Sequence, residues 1–319
     1  MLLFDLAIFV VALLAIWLGA SIITRSALHL SKAWGMSEGF VGMTILALGT
    51  SFPEITLSIT GAIQKLNGHD SSGIVVGNAI GASMNQLILI VAISGLIKTI
   101  KFRKSNVFFN STFVIAAAAA FYIFSRDAQI SRAEGAIFVV SYIAYLLFLS
   151  RQNFLEQVGS KIKKKLIKHK MHWGNLFWVF VGLMIVAKSS QLVLTKGVSL
   201  ASGFGVSEAT VGILLLGFGV SLPELMIAIN AAVKGARDLS LGNLIGGTIV
   251  NICVAMAAGA TIGGWQIERG LMQFDIPYLL FSVVIVVLFI ASRNKLDRKE
   301  AILLLSLYLV YIFLKAMGL

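Results

Sequence analysis

The sequence predicts an all-α integral membrane protein: ten transmembrane helices in two inverted five-helix repeats, with helices broken at the bilayer midplane. Three observations lead there. Apolar runs recur along the whole chain, basic residues collect on alternate connections, and one pair of sequence blocks occurs twice in the same order. The 319 residues are 58% hydrophobic and only 13% charged, with a mean hydropathy of +0.92. A soluble domain carries roughly 25% charged residues and has no interior large enough for this much apolar surface.

The runs come first. Residues 2–24, 107–124, 137–150, 276–292 and 301–314 contain no acid or base except Asp5, and several approach the roughly 20 residues that cross a bilayer core. Reading apolar runs against charged breaks places spans near 2–24, 39–64, 71–97, 107–125, 133–150, 174–196, 208–233, 239–262, 275–292 and 300–317. The first run lacks a basic leader and reads as a span, not a cleaved signal. The longest connection, 151–173, carries Lys161, Lys163, Lys164, Lys165, Lys168 and Lys170, and divides the chain into halves at 1–150 and 174–319.

Charge then orients the spans. Counted over alternate connections, 19 Lys and Arg fall on one side and 6 on the other, with Lys188 inside a span. The positive-inside rule places the basic side, including 151–173, in the cytoplasm and both termini outside. The net charge of +12 is therefore topological, facing anionic lipid, and is no sign of nucleic-acid binding. Span 1 then starts outside and span 6 inside, so matching sequences in the two halves must be inverted. The lone cysteine, Cys253, sits in an apolar stretch and reads as a small packing residue.

Matching sequences exist. Residues 35–57 read GMSEGFVGMTILALGTSFPEITL and residues 205–227 read GVSEATVGILLLGFGVSLPELMI. At an offset of 170, Gly35, Ser37, Glu38, Val41, Gly42, Gly49, Ser51, Pro53 and Glu54 recur. A second block, GNAIGASMNQL at 77–87, returns as GNLIGGTIVNI at 242–252. Two blocks in one order at similar spacing define an internal repeat. Inverted repeats with interrupted helices place ion sites near the midplane.

The motif chemistry agrees. Pro53 and Pro223 each remove a backbone donor, and Gly49 and Gly219 loosen the preceding turn. Carbonyls near Ala47 and Gly49 are expected to be freed toward a cation, joined by the hydroxyls of Thr50, Ser51 and Ser221. Glu54 and Glu224 lie mid-span, where an unpaired carboxylate costs several kcal/mol. No base is placed to neutralise either one, so ion coordination is the better reading than packing. An all-oxygen site suits calcium or sodium and not zinc or copper. In the second block, Gly77, Gly81, Gly242 and Gly246 give the small-residue spacing of close helix packing. Gln86 and Asn251, equivalent under the repeat, are expected to supply amide oxygens, in preference to Asn85, which pairs with Val250. Asn78 and Asn243 are expected to satisfy the broken backbone of the neighbouring helix. Lys188, where the first repeat has Leu18, admits two readings: a snorkelling lysine, or an internal cation standing in for a bound ion.

With GTSFPE and GVSLPE each followed by a GNxIG block, the chain resembles the cation/calcium exchanger superfamily, most closely its prokaryotic sodium/calcium exchangers, over its whole length. The resemblance implies an antiporter exchanging calcium for sodium by alternating access, with spans 1 and 6 sliding over the other eight. It implies ion ligands at Glu54, Thr50, Ser51 and the Ala47 carbonyl, and at Glu224, Ser221 and the Gly217 carbonyl. Several positions depart from the family pattern. Val220 replaces a threonine, Ala82 and Gly247 replace serines, Gln86 replaces an asparagine, and Asn251 replaces an aspartate or asparagine. The changes at Val220, Ala82 and Gly247 remove hydroxyls from flanking sodium sites, which keeps a calcium/proton antiporter as the alternative, with manganese as a further divalent. A channel, which would carry flux without counter-ion or trans-stimulation, is a different class of reading; an intramembrane enzyme fits less well, since no zinc-binding H-E-x-x-H, Walker or serine–lysine motif is identified. No cofactor is expected beyond the transported ions, Ca2+ and Na+ or H+. The expected partners are membrane lipid and inorganic cations, with the monomer as the functional unit.

Overall fold

A computed structural model describes residues 2–97, 99–101, 104–161, 173–203, 221–293 and 295–317. The chain is almost wholly helical. Helix α1 spans Leu2–Trp34; α2 (Glu38–Thr50) and α3 (Phe52–Leu66) form a pair bent by 46°. Then come α4 (Ser72–Ile97), α5 (Lys104–Phe124), α6 (Arg132–Lys161) and α7 (Trp173–Gly203). The last four are α8 (Leu222–Val233), α9 (Asp238–Gly263), α10 (Ile276–Arg293) and α11 (Arg298–Ala316). Among the described residues seven helices are long and apolar enough to cross a membrane, or up to eight if the bent pair is one span. Helix α11 is uncharged only from Ala301 to Leu314, with Arg298, Lys299, Glu300 and Lys315 at its ends.

Two expectations are corrected here. The connection predicted at 151–173 begins as helix, because α6 runs on through Lys161. The first span is also longer than 2–24: α1 continues past Arg25 to Trp34, carrying basic residues on its last turns. A helix needs no break where its apolar run ends, since its backbone is satisfied internally in either solvent.

Burial sets the layers. In both α4 and α9, 78% of the spanning window is buried, against 28% in α1 and 33% in α7. The main apolar core gathers α4 and α9 with residues of α5, α6, α10 and α11, including Ile80, Ile88, Ile249, Met256 and Val283. A second, separate core joins α1 to α7 through Ala12, Ile16, Ala20, Ile23, Val179 and Val186, and reaches Ile227 and Ala231 of α8. These two long helices are antiparallel. Gly19 lies against Val186, Ile23 against Gly182, and Asp5 against Lys196, so one number falls as the other rises. Their outer faces expose Leu14, Leu18, Phe177 and Phe180, the apolar surface a lipid-facing helix presents.

Helix α2 docks on α9 by backbone contact. A Cβ on Gly42 would stand 2.4 Å from the Leu239 carbonyl oxygen, and one on Gly246 would stand 2.6 Å from the Met43 Cα. Side chains of any size would force the helices apart there. Gly242 meets the Gly39 carbonyl in the same way. At Gly77 and Gly81, by contrast, no described atom lies within 4 Å of such a Cβ.

Two short antiparallel ladders tie the connections. Strand β1 (Ile100–Lys101), after α4, pairs with β4 (Lys295–Leu296), after α10. Strand β2 (Gln129–Ile130), after α5, pairs with β3 (Trp265–Gln266), after α9. In each ladder one strand comes from the first half of the chain and one from the second.

Candidate functional site

The site begins where α2 stops. Ser51 leaves helical geometry (φ −84°, ψ 7°), and α3 starts with Pro53 in its first turn and Glu54 just after. The second motif repeats this: Ser221 has φ −93°, ψ 3°, followed by Pro223 and Glu224 in the first turn of α8. In both, proline is acceptable because the first turn of a helix has no intrahelical use for its N–H. The serine carbonyl then caps the new helix, receiving the N–H of Ile55 at 3.1 Å and of Leu225 at 3.0 Å.

One expectation fails at this break. The Ala47 carbonyl is not freed: it accepts the Ser51 N–H at 3.1 Å and the Thr50 hydroxyl at 3.4 Å. Proline withdraws its donor from the carbonyl four residues earlier, which is that of Gly49, and leaves Ser51 able to bond Ala47. Gly217, Gly219 and Val220 lie outside the described residues.

The two carboxylates come together from opposite halves of the chain. Glu54 is 6% exposed and Glu224 2%, and Glu224 feels the charge of Glu54. Gln86 donates a hydrogen bond to Glu224, and Asn251 donates through Nδ2 to the Gln86 oxygen at 3.3 Å. The repeat-related pair Gln86 and Asn251 is thus in direct contact, each at the start of a widened π turn (Asn85–Ile90 and Asn251–Met256). Such turns re-aim side chains within an otherwise regular helix.

What remains unpaired is chemically uniform. The buried oxygens Ser51 Oγ, Glu54 Oε2, Glu224 Oε2 and Asn251 Oδ1 have no hydrogen-bond partner among the described residues. Each orphaned acceptor in a low-dielectric interior costs roughly 1–3 kcal/mol, and more when charged. The other buried acids are treated differently: Asp5 meets Lys196 at 2.6 Å, and Asp275 holds Lys315 together with the Tyr311 hydroxyl. Glu54 and Glu224 are the buried carboxylates left without a base among the described residues. Unpaired oxygens around two acids suit a cation and offer little to an anion. No group of three or more His, Cys, Asp or Glu side chains occurs among the described residues, so the charge of the site rests on these two.

Other predicted residues fall in and out of this cluster. Thr50 and Ser221 are 5% exposed and border it. Ser221 accepts from Asn85 Nδ2 at 2.6 Å, and Asn85 Oδ1 in turn accepts the Tyr308 hydroxyl at 2.6 Å. Repeat equivalence disfavours Asn85, whose counterpart is Val250, and Tyr308 carries no signal in the sequence. Asn243 does not serve the broken backbone as expected: it is 1% exposed and both its amide atoms lack a partner among the described residues. Backbone contacts at Gly42 already occupy that face of α9. Asn78 is half-buried. Lys188 is exposed on α7, while its neighbours Ala187, Ser190 and Gln191 line a cavity of about 510 Å³ with Gly49, Thr50 and Pro53. Among the described residues Lys188 forms no ion pair with either carboxylate.

Two departures noted separately in the sequence are one feature in space. A Cβ on Gly247 would stand 2.8 Å from both the oxygen and the nitrogen of the Gln86 amide. The longer Gln86 occupies room that a side chain at 247 would need.

The sodium/calcium exchanger protein family profile matches residues 4–151 and 174–317, both halves of the chain. The chain belongs to the sodium/calcium exchanger family. It is 24% identical to the sodium/calcium exchanger MaX1 of Methanosarcina acetivorans, over 92% of this chain and 93% of that one. It is 30% identical to a Ca2+/H+ antiporter of Aphanothece halophytica, over 48% of this chain and 41% of that protein. Its fold matches the sodium–calcium exchanger NCX_Mj with a TM-score of 0.82 at 25% identity, covering 98% of this chain and 99% of the other. The protein is a multi-pass membrane antiporter of inorganic cations and not an enzyme. The exchanger family transports sodium and calcium.

Proposed function

We propose that this exchanger moves calcium against sodium by alternating access, with Glu54 and Glu224 as its central ligands. The observation that carries the reading is the contrast among buried acids: two are neutralised by lysines, while these two face each other amid unpaired oxygens. Ser51, Thr50, Ser221, Gln86 and Asn251 complete the ligand set, with the Gly217 carbonyl. Exchange follows from exclusive occupancy. Calcium, or more than one monovalent ion, neutralises the same pair, and the doubly charged pair without a cation resists transit through a low-dielectric barrier.

Ten spans and an inverted repeat accompany this reading. Helices α1 and α7, which correspond under the repeat, run antiparallel, and the ladders join connections that the charge count assigns to the same side. The β1–β4 connections hold Lys101, Lys104, Lys295 and Arg298, on the side read as cytoplasmic; both termini are then outside. A moving α1–α7 pair is supported by its own apolar core and by the cavity between α7 and both proline breaks. The monomer contains every ligand named and is the proposed unit of function.

A calcium/proton antiporter is the second reading. Gln86 fills the space beside Gly247, taking the place of a hydroxyl that a flanking monovalent-ion site would use. Calcium flux into reconstituted vesicles, driven by a sodium gradient in one arm and a pH step in the other, separates the two. Glu54→Gln and Glu224→Gln are each expected to lower flux at least about 100-fold, the loss of a ligand charge from a buried site, with unchanged elution on gel filtration. Robust flux in either variant would sink the assignment.

A further inference from the structure

A second polar feature lies far from the carboxylates. Near the C-terminal end of α1 and the start of α7, a pocket of about 450 Å³ is lined by Ser21, Arg25, Ser26, His29, Asn175 and Trp178. Ser21, Arg25 and His29 follow one another at four-residue steps, so they form one stripe of α1. Lys234, just beyond α8, reaches the same stripe and donates to the Ser21 carbonyl at 3.0 Å and its hydroxyl at 2.7 Å. That places two cations side by side: burial, and then the charge of Arg25, lower the pKa of Lys234. Neither Arg25 nor Lys234 forms an ion pair among the described residues. Adjacent like charges without an anion, ringed by hydroxyls, an amide and an imidazole, make the donor set that a phosphate satisfies.

We propose that this pocket binds the phosphate of an anionic phospholipid. The lipid source is argued from depth and rim. Arg25 is nine residues before the end of α1, about 13 Å along the axis, and Trp178 lies near the start of α7 with 51% of its surface exposed. Aromatic residues at that depth mark the headgroup boundary. Below the basic residues Leu18 is 62% exposed, offering a track for an acyl chain. Arg25 and Lys234 also belong to connections that the sequence assigns to one side of the membrane, so a single leaflet supplies the ligand. The bound lipid touches α1, α7 and the end of α8 together. If α1 and α7 are the moving pair, as in the proposed function, it sets the rate of the access change without altering ion preference.

The test is native mass spectrometry of the delipidated full chain titrated with phosphatidylglycerol, phosphatidylcholine or inorganic phosphate. The wild-type chain is expected to bind phosphatidylglycerol about tenfold more tightly than phosphatidylcholine, as two interfacial basic residues allow. Arg25→Gln with Lys234→Gln is expected to erase that preference, whereas Lys101→Gln with Lys295→Gln leaves it. Arg25 makes no hydrogen bond among the described residues, so its single change to Gln carries the test should the double variant fail to run as one species. Equal binding of the two lipids, a preference that survives both Gln changes, or displacement of lipid by millimolar phosphate would each overturn the proposal. The result is independent of ion coupling, since vesicle flux does not enter it.

Discussion

Gln86 and Gly247 show how a single site residue has to be read with its neighbour. Their packing predicts an epistatic pair: Gly247→Ser alone drives a side chain into the Gln86 amide and is expected to lower transport about tenfold or more. Adding Gln86→Asn removes one methylene from the opposing side and should recover it, with a stronger dependence on sodium. Flux measured across the four-member cycle reads the coupling directly, and additive losses would refute it. Both departures were visible in the sequence, but their contact was not, because 86 and 247 approach only when the two halves of the chain fold together. Asn85 is hidden from the sequence for a related reason. Repeat equivalence ranks positions by symmetry, and Asn85 acts through an asymmetric partner, Tyr308 on the last helix. Tyr308→Phe removes the bond that orients Asn85 toward Ser221, leaving Ser51 and its surroundings intact. The expected outcome is a several-fold rise in the calcium KM with folding unchanged, in keeping with about 1 kcal/mol for one net hydrogen bond.

At the scale of elements, the proline breaks and the glycine contacts separate two jobs that lie close together in the motif. Gly42 and Gly246 set how near α2 comes to α9, so Gly42→Leu is expected to destabilise the fold by about 1–3 kcal/mol, measurable as a lower thermal midpoint in detergent. Pro53 shapes the site and contributes less to stability. Pro53→Ala returns an N–H to the Gly49 carbonyl and lets α2 and α3 straighten, so transport should fall while the thermal midpoint holds or rises. Equal thermal losses in both variants would contradict this division. Most of the described helices, the breaks and the burial of the two carboxylates were legible because apolar length, proline and buried charge each have a local signature. The π turns at Asn85–Ile90 and Asn251–Met256 have none; a single inserted backbone turn changes no composition and no obvious spacing. The length of α6 was also illegible, since Arg151, which ends the apolar run, does not end the helix.

Across the whole molecule, the charge count and the β ladders speak to the same geometry from independent directions. Cys253 is buried, and it is the only cysteine in the chain, so introduced thiols can be read without background. A membrane-impermeant maleimide is expected to label Lys101→Cys from the cytoplasmic side only and Gln129→Cys from the outside only. Labelling of both from one side would overturn the orientation. The ladders carry a further consequence, for biosynthesis. Because β1 waits for β4 and β2 for β3, neither half can close its own connections as it leaves the ribosome. The first half must sit in the bilayer with Glu54 exposed to whatever passes until Glu224 and its helix arrive. A chain divided between Lys161 and Trp173 should therefore yield two fragments that are each degraded when made alone and mutually protected when made together, so that assembly becomes a timing problem for the insertion machinery.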